Sequence, residues 1–543
     1  MKRTEWTIWN GWGAALGVLL LLWSCAQTSN LSGGPEDKTP PGIDSLKSTP
    51  NFQVRFEQQP IELTFDEWVV LKDVFNQVVI SPPLQNGKPE VSLRRKTVRV
   101  DFPPDEELRP NATYIINFGE AIRDLTADNI APDLRFVFST GDYIDSLQIT
   151  GRIVDAYTND PVEKALMMLY DNLADSVVRT EVPFYFNKTD SSGQFRLQNL
   201  RPDTFKTFAL LSTDPNYLFD QTSEKIGFVD SLIVLNDSAK IDLRIRLFQQ
   251  LAPLRLNRKE PRGYGYLPLV YNRPPWDATV ELDRTDLRVV RLQEADTLKL
   301  WYHWMTDESW SIYTQQDTTF DTLLIDTTGR AAFMRAAKLR PQNRSVSQSN
   351  LNPFKGIKLR FNRPLNSWDT SQIYLLEDTL ARRVKPQLRI DSTDQRQLHI
   401  QYQWRAETPY ELNIYPGGLR DLFDRTLDTL TQTYLAKRPD DYGKFIINVV
   451  EVDSSQQYVF QLLKGEQLLS ERILRDTSRF RFEYPGLDLG KDYTIRLIED
   501  LIPNGRWDTG SYDERRQPER LSVYKLQELR ANFEAEEELR PEF

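Results

Sequence analysis

The sequence predicts an all-β chain built as a serial array of β-sandwich modules. Three observations carry that expectation. With 12 Trp, 22 Tyr and 27 Phe among 543 residues, the chain is aromatic-rich, a composition that favours strands over helices. Apolar and polar residues alternate with period two in many short segments, the pattern of half-buried antiparallel strands. These segments recur in blocks of about 90–100 residues, the size of one sandwich. At roughly 100–200 residues per domain the length suggests three to five domains. The 40% hydrophobic and 27% charged content is enough for each to bury a core.

Composition also excludes function classes. The formal charge of −10 argues against a polyanion-binding surface and against nucleic acid as a partner. One Cys rules out a disulfide framework and a Cys-rich metal site. Two His, His303 and His399, leave little for zinc chemistry or a His-based triad. The sequence has no phosphate loop, dinucleotide fingerprint or nucleophile elbow. The expectation is a protein with no catalytic residues, no cofactor and no metal. Carboxylate-only glycoside hydrolysis stays open as an alternative, because 78 Asp and Glu offer countless pairs.

The N-terminus reads as an address. Lys2 and Arg3 precede an apolar stretch, Gly11 to Trp23, too short to span a bilayer comfortably and suited to a signal peptide. Leu22-Trp23-Ser24-Cys25 resembles a bacterial lipobox, with Trp23 as its departure. The only Cys thus falls where acylation needs it, and Cys25 is the expected lipidation site; the alternative is an ordinary exported protein. The stretch from Ala26 to Pro41, rich in Ser, Gly, Pro and Thr, reads as a flexible tether. Ala26 stands where an inner-membrane retention signal has Asp, which favours the outer membrane. No acidic run follows Cys25 to support surface export.

The remainder repeats itself. Ile61–Asp66, Leu269–Pro274 and Ile357–Pro364 share one alternating pattern. Later strands follow in each: Thr97–Phe102, Thr297–Tyr302 and Gln397–Tyr402, then Tyr114–Phe118, Trp310–Tyr313 and Tyr410–Tyr415. Phe65 lies 49 residues before Tyr114, and Phe361 lies 49 before Tyr410. The middle copy is shorter. Arg123-Asp124-Leu125 and Arg420-Asp421-Leu422 close the first and third copies alike.

Segments 41–141 and 346–437 resemble the bacterial Ig-like domain of S-layer (SbsA-like) type. The first copy carries this in Phe65-Asp66-Glu67, Ile80-Ser81-Pro82-Pro83, Leu108 to Tyr114, Asn117-Phe118-Gly119 and Phe138 to Gly141. Segment 145–245, with Gly151 to Asp155, Asn159 to Val162 and Asp190-Ser191-Ser192-Gly193, resembles the carboxypeptidase regulatory-like, transthyretin-like sandwich. Segment 440–510 is a weaker relative. From Gly33 to Phe533 the chain is similar to a family of Gram-negative Ig-like-domain lipoproteins of unassigned biochemical role. The resemblance implies a signal peptide over 1–24, a tether over 25–41 and an SbsA-like Ig-like domain over 42–141. It then implies a regulatory-like sandwich over 142–250, a diverged Ig-like domain over 251–345, a second clear Ig-like domain over 346–437, and a C-terminal sandwich-like domain with an acidic tail over 438–543.

Each candidate site has a bland alternative. Asp500, Asn504, Gly505 and Asp508 loosely resemble a calcium loop, but Ile502 stands where an EF-hand wants a ligand, so a turn beside surface carboxylates is the expectation. Asp214, Asn216 and Asp220 form a similar sparse set. Trp301, Tyr302, Trp304 and Trp310 could stack on sugars, although adjacent strand residues face opposite ways. Arg94-Arg95-Lys96 reads as a solvated turn. Leu526, Leu529 and Phe533 suit a short helix, against strands at Ser522–Leu526 and around Arg530–Phe533, which the resemblance implies; Glu534 to Glu538 reads as an acidic frayed end.

The functional expectation is a lipid-anchored envelope protein with a structural or interaction role, a spacer or adhesive arm. It would lie on the periplasmic face of the outer membrane or at the cell surface. Its partners are the membrane, through the lipid anchor, and an envelope protein or glycan. A glycan-binding accessory of a polysaccharide-uptake system and an unrecognised hydrolase are the alternatives.

Overall fold

The computed structural model describes residues 37–543, apart from 133, 215, 237–239, 260–262, 305–307, 317–318, 327 and 343–348. Cys25, the signal segment 1–24 and most of the expected tether lie outside the described residues. The regular structure of the described chain is almost wholly strand, arranged in many sheets, and the all-β expectation holds. Among the described residues no helix is long and apolar enough to cross a membrane. By contacts the chain divides into two compact units, one running to Leu147 with Asn199–Arg201, the other holding Gln148–Gln198 and Pro202–Phe543.

The first unit is a two-layer sandwich. One layer sets Thr97–Asp101 between Ile61–Thr64 and Glu90–Arg94, and the other sets Thr113–Asn117 between Val79–Ser81 and Arg135–Ser139. Alternation places Ile61, Leu63, Val98 and Val100 inward against Tyr114, Ile116 and Phe138. The short pair Val69–Leu71 and Ile122–Asp124 closes one end.

The second unit holds four modules. In the first of them, Ile241–Gln249 runs parallel to Leu147–Asp155, and antiparallel strands extend the sheet on both sides. The turn Asp190–Gly193 is braced by the Asp190 carboxylate, which accepts the N–H groups of Ser192 and Gln194. Gly193 sits at φ +74°, where a Cβ would stand 2.6 Å from the Ile153 carbonyl oxygen, so this turn requires glycine. The next module packs Tyr266–Tyr271, Thr297–His303 and Arg288–Glu294 over Thr279–Leu282, Trp310–Gln316 and Thr319–Ile325. The fourth module of the chain sets the three-stranded layer of Ile357–Arg360, Gln397–Gln401 and Gln387–Ile390 against a five-stranded one. The last module faces Gln457–Lys464 and Tyr493–Asp500 with Gly443–Val450 and its neighbours.

Three modules repeat one local design. Leu63, Leu269 and Leu359 lie opposite Val98, Leu298 and Leu398. The next aromatic, Phe65, Tyr271 or Phe361, donates its N–H to the carbonyl of Lys96, Asp296 or Arg396 at 2.8–2.9 Å. The residue after it, Asp66, Asn272 or Asn362, accepts the N–H of the incoming strand at Gly42, Arg255 or Arg340. Phe65 and Phe361, like Tyr114 and Tyr410, are buried on equivalent faces, as their equal spacing predicts.

The tail needs correction. Glu534–Leu539 is a strand parallel to Gly443–Val450, not a frayed acidic end. Ala535 and Leu539 fill the core, while Glu534 and Glu536 face Lys444 and Arg481 at 3.1 Å. Alternation with apolar residues at 535 and 539 is what the run of Glu hides. The strand begins after Phe533, later than the expected Arg530–Phe533. Leu526 and Leu529 reach the core without a helix.

Candidate functional site

The four modules of the second unit are tied in a closed circuit. The first and second of them are joined covalently at Gln250–Leu251, and just beyond that joint Arg273 donates to the Ala252 carbonyl at 2.8 Å within the second. The next junction is part apolar and part ionic. Phe423 packs between Tyr264, His303 and Phe333, and Gly265 has no Cβ because one would stand 2.5 Å from the Phe423 ring. Beside it Arg396, almost fully buried, bridges Asp394 (2.9 Å) and Glu294 and lies 5.2 Å over the Trp301 ring. Burial penalises the Glu294 and Asp394 charges, but the Arg396 contacts, with Lys299 for Glu294 and Gln397 for Asp394, outweigh it and hold both carboxyls below the usual range. Asn352 then donates to the Gly486 carbonyl at 2.8 Å, tying the last module.

The long connection Leu501–Arg520 closes the circuit. Thr509 Oγ1 donates to the Gln249 carbonyl at 2.8 Å, Tyr512 OH to the Asp175 carbonyl at 2.6 Å, and Gln517 to the Phe228 carbonyl at 3.0 Å. The Tyr512 ring meets Phe208 and Phe228 edge-on, each at 5.3 Å. Gly510 passes against the buried Phe248 ring, where a Cβ would lie 2.6 Å away. No sequence motif marked this connection; an aromatic in the middle of a long polar stretch was the available signal.

Between these modules the connection leaves a cleft of about 610 Å³, lined in part by Arg179, Arg273, Asp277, Arg506, Asp508 and Asp513. Its charges are paired: Arg179 with Asp513 at 2.8 Å, Arg273 with Asp277 at 3.0 Å, and Arg506 with Asp508 at 3.2 Å. Arg506 also lies 4.5 Å over the partly exposed Trp276.

The loop considered for calcium serves as the brace of this connection. Asp500 accepts the N–H groups of Asn504 and Gly505 and the Gln457 side chain. Glu519, which the sequence did not single out, accepts the N–H groups of Ile502 and Asp508. Burial, then the nearby Asp508 and Asp500 charges, pushes the Glu519 carboxyl up. Among the described residues no group of three or more His, Cys, Asp or Glu is placed to hold a metal ion. Asn216 donates to Asp220 at 2.9 Å in the similar sparse set.

The aromatic platform is not a surface. Trp301, Tyr302, Trp304 and Trp310 are all buried. Tyr302 points into the sandwich against Trp310, while Trp301, on the other face, is covered by Tyr266 and Arg396. Both faces of that sheet are occupied, so alternation does not expose either ring. His303 is buried with Nδ1 3.1 Å from Tyr264 OH. Burial, followed by the charge of Arg288, pushes its pKa down. His399 pairs with Asp391 at 2.9 Å in a different module. Arg95 and Lys96 form the hairpin turn between Glu90–Arg94 and Thr97–Asp101.

Residues 37–140 match the model of the bacterial Ig-like domain family. No curated protein matches. Among solved structures, the chain is similar to the N-terminal part of the bacterial S-layer protein SbsC, at 10% identity and a TM-score of 0.18, over 32% of this chain and 43% of that one. It thus spans less than half of that relative. It is also similar to BcpA, the major pilin subunit of Bacillus cereus, at 7% identity and a TM-score of 0.13, over 73% and 99%. A third similar structure is SGBP-B of the Bacteroides ovatus mixed-linkage glucan utilization locus, solved with a mixed-linkage heptasaccharide. It aligns at 10% identity and a TM-score of 0.15, over 63% and 85%. Likeness at these scores carries no functional argument.

Proposed function

We propose that this chain is a lipid-anchored protein of the cell envelope with a structural or binding role and no catalytic activity. The observation that carries the reading is the Leu501–Arg520 connection. It commits a buried tyrosine, a glycine and the Asp513 carboxylate, paired with Arg179, to fixing modules against one another, as a scaffold requires. The Ig-like first unit and the reading of Cys25 as an acylated residue support the same account. Ala26, where an inner-membrane retention signal has Asp, favours the outer membrane, at its periplasmic face or at the cell surface. Cys25→Ser is expected to release the protein from membranes or to leave the signal segment uncleaved; a variant that partitions and migrates like the unaltered protein contradicts the anchor. Soluble chain starting at residue 26 is expected to show no turnover on ester, peptide and glycoside panels. Reproducible turnover lost on one Asp, Glu or His substitution contradicts the non-enzymatic reading.

A second reading, glycan binding, is favoured by the cleft, whose volume lies within the range of ligand sites and whose Arg506 stacks on Trp276. Calorimetry against envelope and plant polysaccharide fragments tests it: binding lost in Trp276→Ala supports a site here, and binding unchanged by that substitution contradicts it.

A further inference from the structure

One end of the first unit carries an apolar pair with no counterpart in its own core. Trp68 and Leu125 are 53% and 60% exposed. The Leu125 N–H donates to the Trp68 carbonyl at 2.9 Å. This continues the register Val69↔Asp124, so the two side chains stand opposite each other on one face.

The related module shows what this end of the fold does when something lies beyond it. There the Leu422 N–H donates to the Pro364 carbonyl, also at 2.9 Å, continuing Leu365↔Asp421. Leu422 and Phe423 are only 5% and 1% exposed, because they enter the core of the module that precedes them in the chain. At the same end of the first unit, Trp68 and Leu125 enter no such core among the described residues.

The chain also enters the fold at this end. Asn129 Nδ2 donates to the carbonyls of Asp37 (3.0 Å) and Thr39 (3.3 Å), and its N–H donates to Asp124. Cys25 lies twelve residues before Asp37, a reach of at most about 40 Å when fully extended. Some charges near the pair are matched, Lys72 with Asp128 at 2.6 Å and Arg123 with Glu120 and Asp128 at 3.0 and 3.1 Å, while burial and the nearby Asp124, Asp37 and Asp66 charges push the carboxyl of Glu67, next to Trp68, up. Trp is the side chain best suited to a lipid headgroup layer.

We infer that the Trp68–Leu125 end of the first unit lies against the bilayer surface, with both side chains among the lipid headgroups. The inference rests on Cys25 being acylated, and the test separates the two. Leu125→Cys carrying an environment-sensitive fluorophore is prepared in two forms. One is the acylated full chain, in which residue 125 holds the only free thiol. The other starts at residue 26 and is held by an N-terminal hexahistidine on phosphatidylethanolamine vesicles containing a nickel-chelating lipid. In both, the expected result is a blue shift on vesicles and quenching by lipids spin-labelled near the headgroup. A label at Tyr143→Cys, at the opposite end of Thr113–Asn117, is expected to show neither. A full chain that stays off vesicles contradicts acylation alone, since the hexahistidine form still reads the surface. Vesicle-bound protein with the 125 label unshifted, or shifted but unquenched because residues before Asp37 cover it, overturns the inference.

Discussion

The phenolic oxygen of Tyr410 accepts the backbone N–H of Arg405 at 2.9 Å. Tyr114 accepts that of Arg109 at 2.8 Å and Tyr458 that of Asp453 at 3.2 Å, each across the same five-residue interval. This is the corner by which a Greek-key sandwich fixes the loop entering a central strand. Tyr410 also donates to the buried Glu377 at 3.1 Å. Removing its hydroxyl therefore leaves both a donor and an acceptor unsatisfied. Tyr410→Phe is expected to cost about 1–3 kcal/mol, and more than Tyr114→Phe, measured by denaturant unfolding of the full chain.

Alkaline pH acts on the same residue. Burial, then the Glu377 hydrogen bond and charge, pushes Tyr410 up to about 12. The folded state thus holds the proton more tightly than the unfolded state, whose value is near 10. The stability from this group is complete below pH 10 and is lost as pH rises toward 12. Tyr410→Phe is expected to flatten the stability profile over that window; an unchanged slope contradicts the assignment.

His303 gives the opposite limb. Its folded pKa is pushed below 6.5 by burial and neighbouring Arg288, so the unfolded chain binds the proton first. Its contribution is present above pH 6.5 and lost as pH falls through the lowered value. The ring faces Tyr264 and Phe423, with Arg288, Asp424, Arg330 and Arg425 around it. His303→Gln is expected to lessen the loss of stability between pH 7 and pH 5, followed by thermal unfolding.

Arg396 holds a junction rather than a surface. Arg396→Ala removes the more buried of the two guanidinium groups, with Arg360, that bridge Asp394 and Glu294, and uncovers Trp301. The expected cost is about 3 kcal/mol, the lower end for a broken buried pair, because Glu294 is partly exposed. Intrinsic Trp emission is expected to shift to the red, which a stability loss elsewhere in the chain would not produce.

Much of the architecture was legible because period-two alternation is a local signal. Leu63 opposite Val98 and Leu359 opposite Leu398 follow from pattern and spacing alone. What was not legible depends on contacts between modules. Trp301 alternates outward like a surface residue, yet Arg396, 95 residues later, covers it. Leu422 and Leu125 occupy one position in a repeated motif, yet one is core and the other exposed. The Glu534–Leu539 strand was hidden because its outward face is wholly acidic and Glu537 interrupts the apolar inward row of Ala535 and Leu539. The Leu501–Arg520 connection has no periodicity, and its role arises from Tyr512 reaching rings on strands nearly 300 residues earlier.

The central claim is that this connection locks the second unit into one body. Spin labels at Glu163→Cys and Glu466→Cys, both exposed, in a Cys25→Ser chain report the separation of the modules that Tyr512 and Gly510 join. The account predicts one narrow distance distribution, broadened by Gly510→Val, whose side chain cannot pass the Phe248 ring. A distribution already broad in the labelled parent, or one left narrow and unmoved by Gly510→Val, would contradict it.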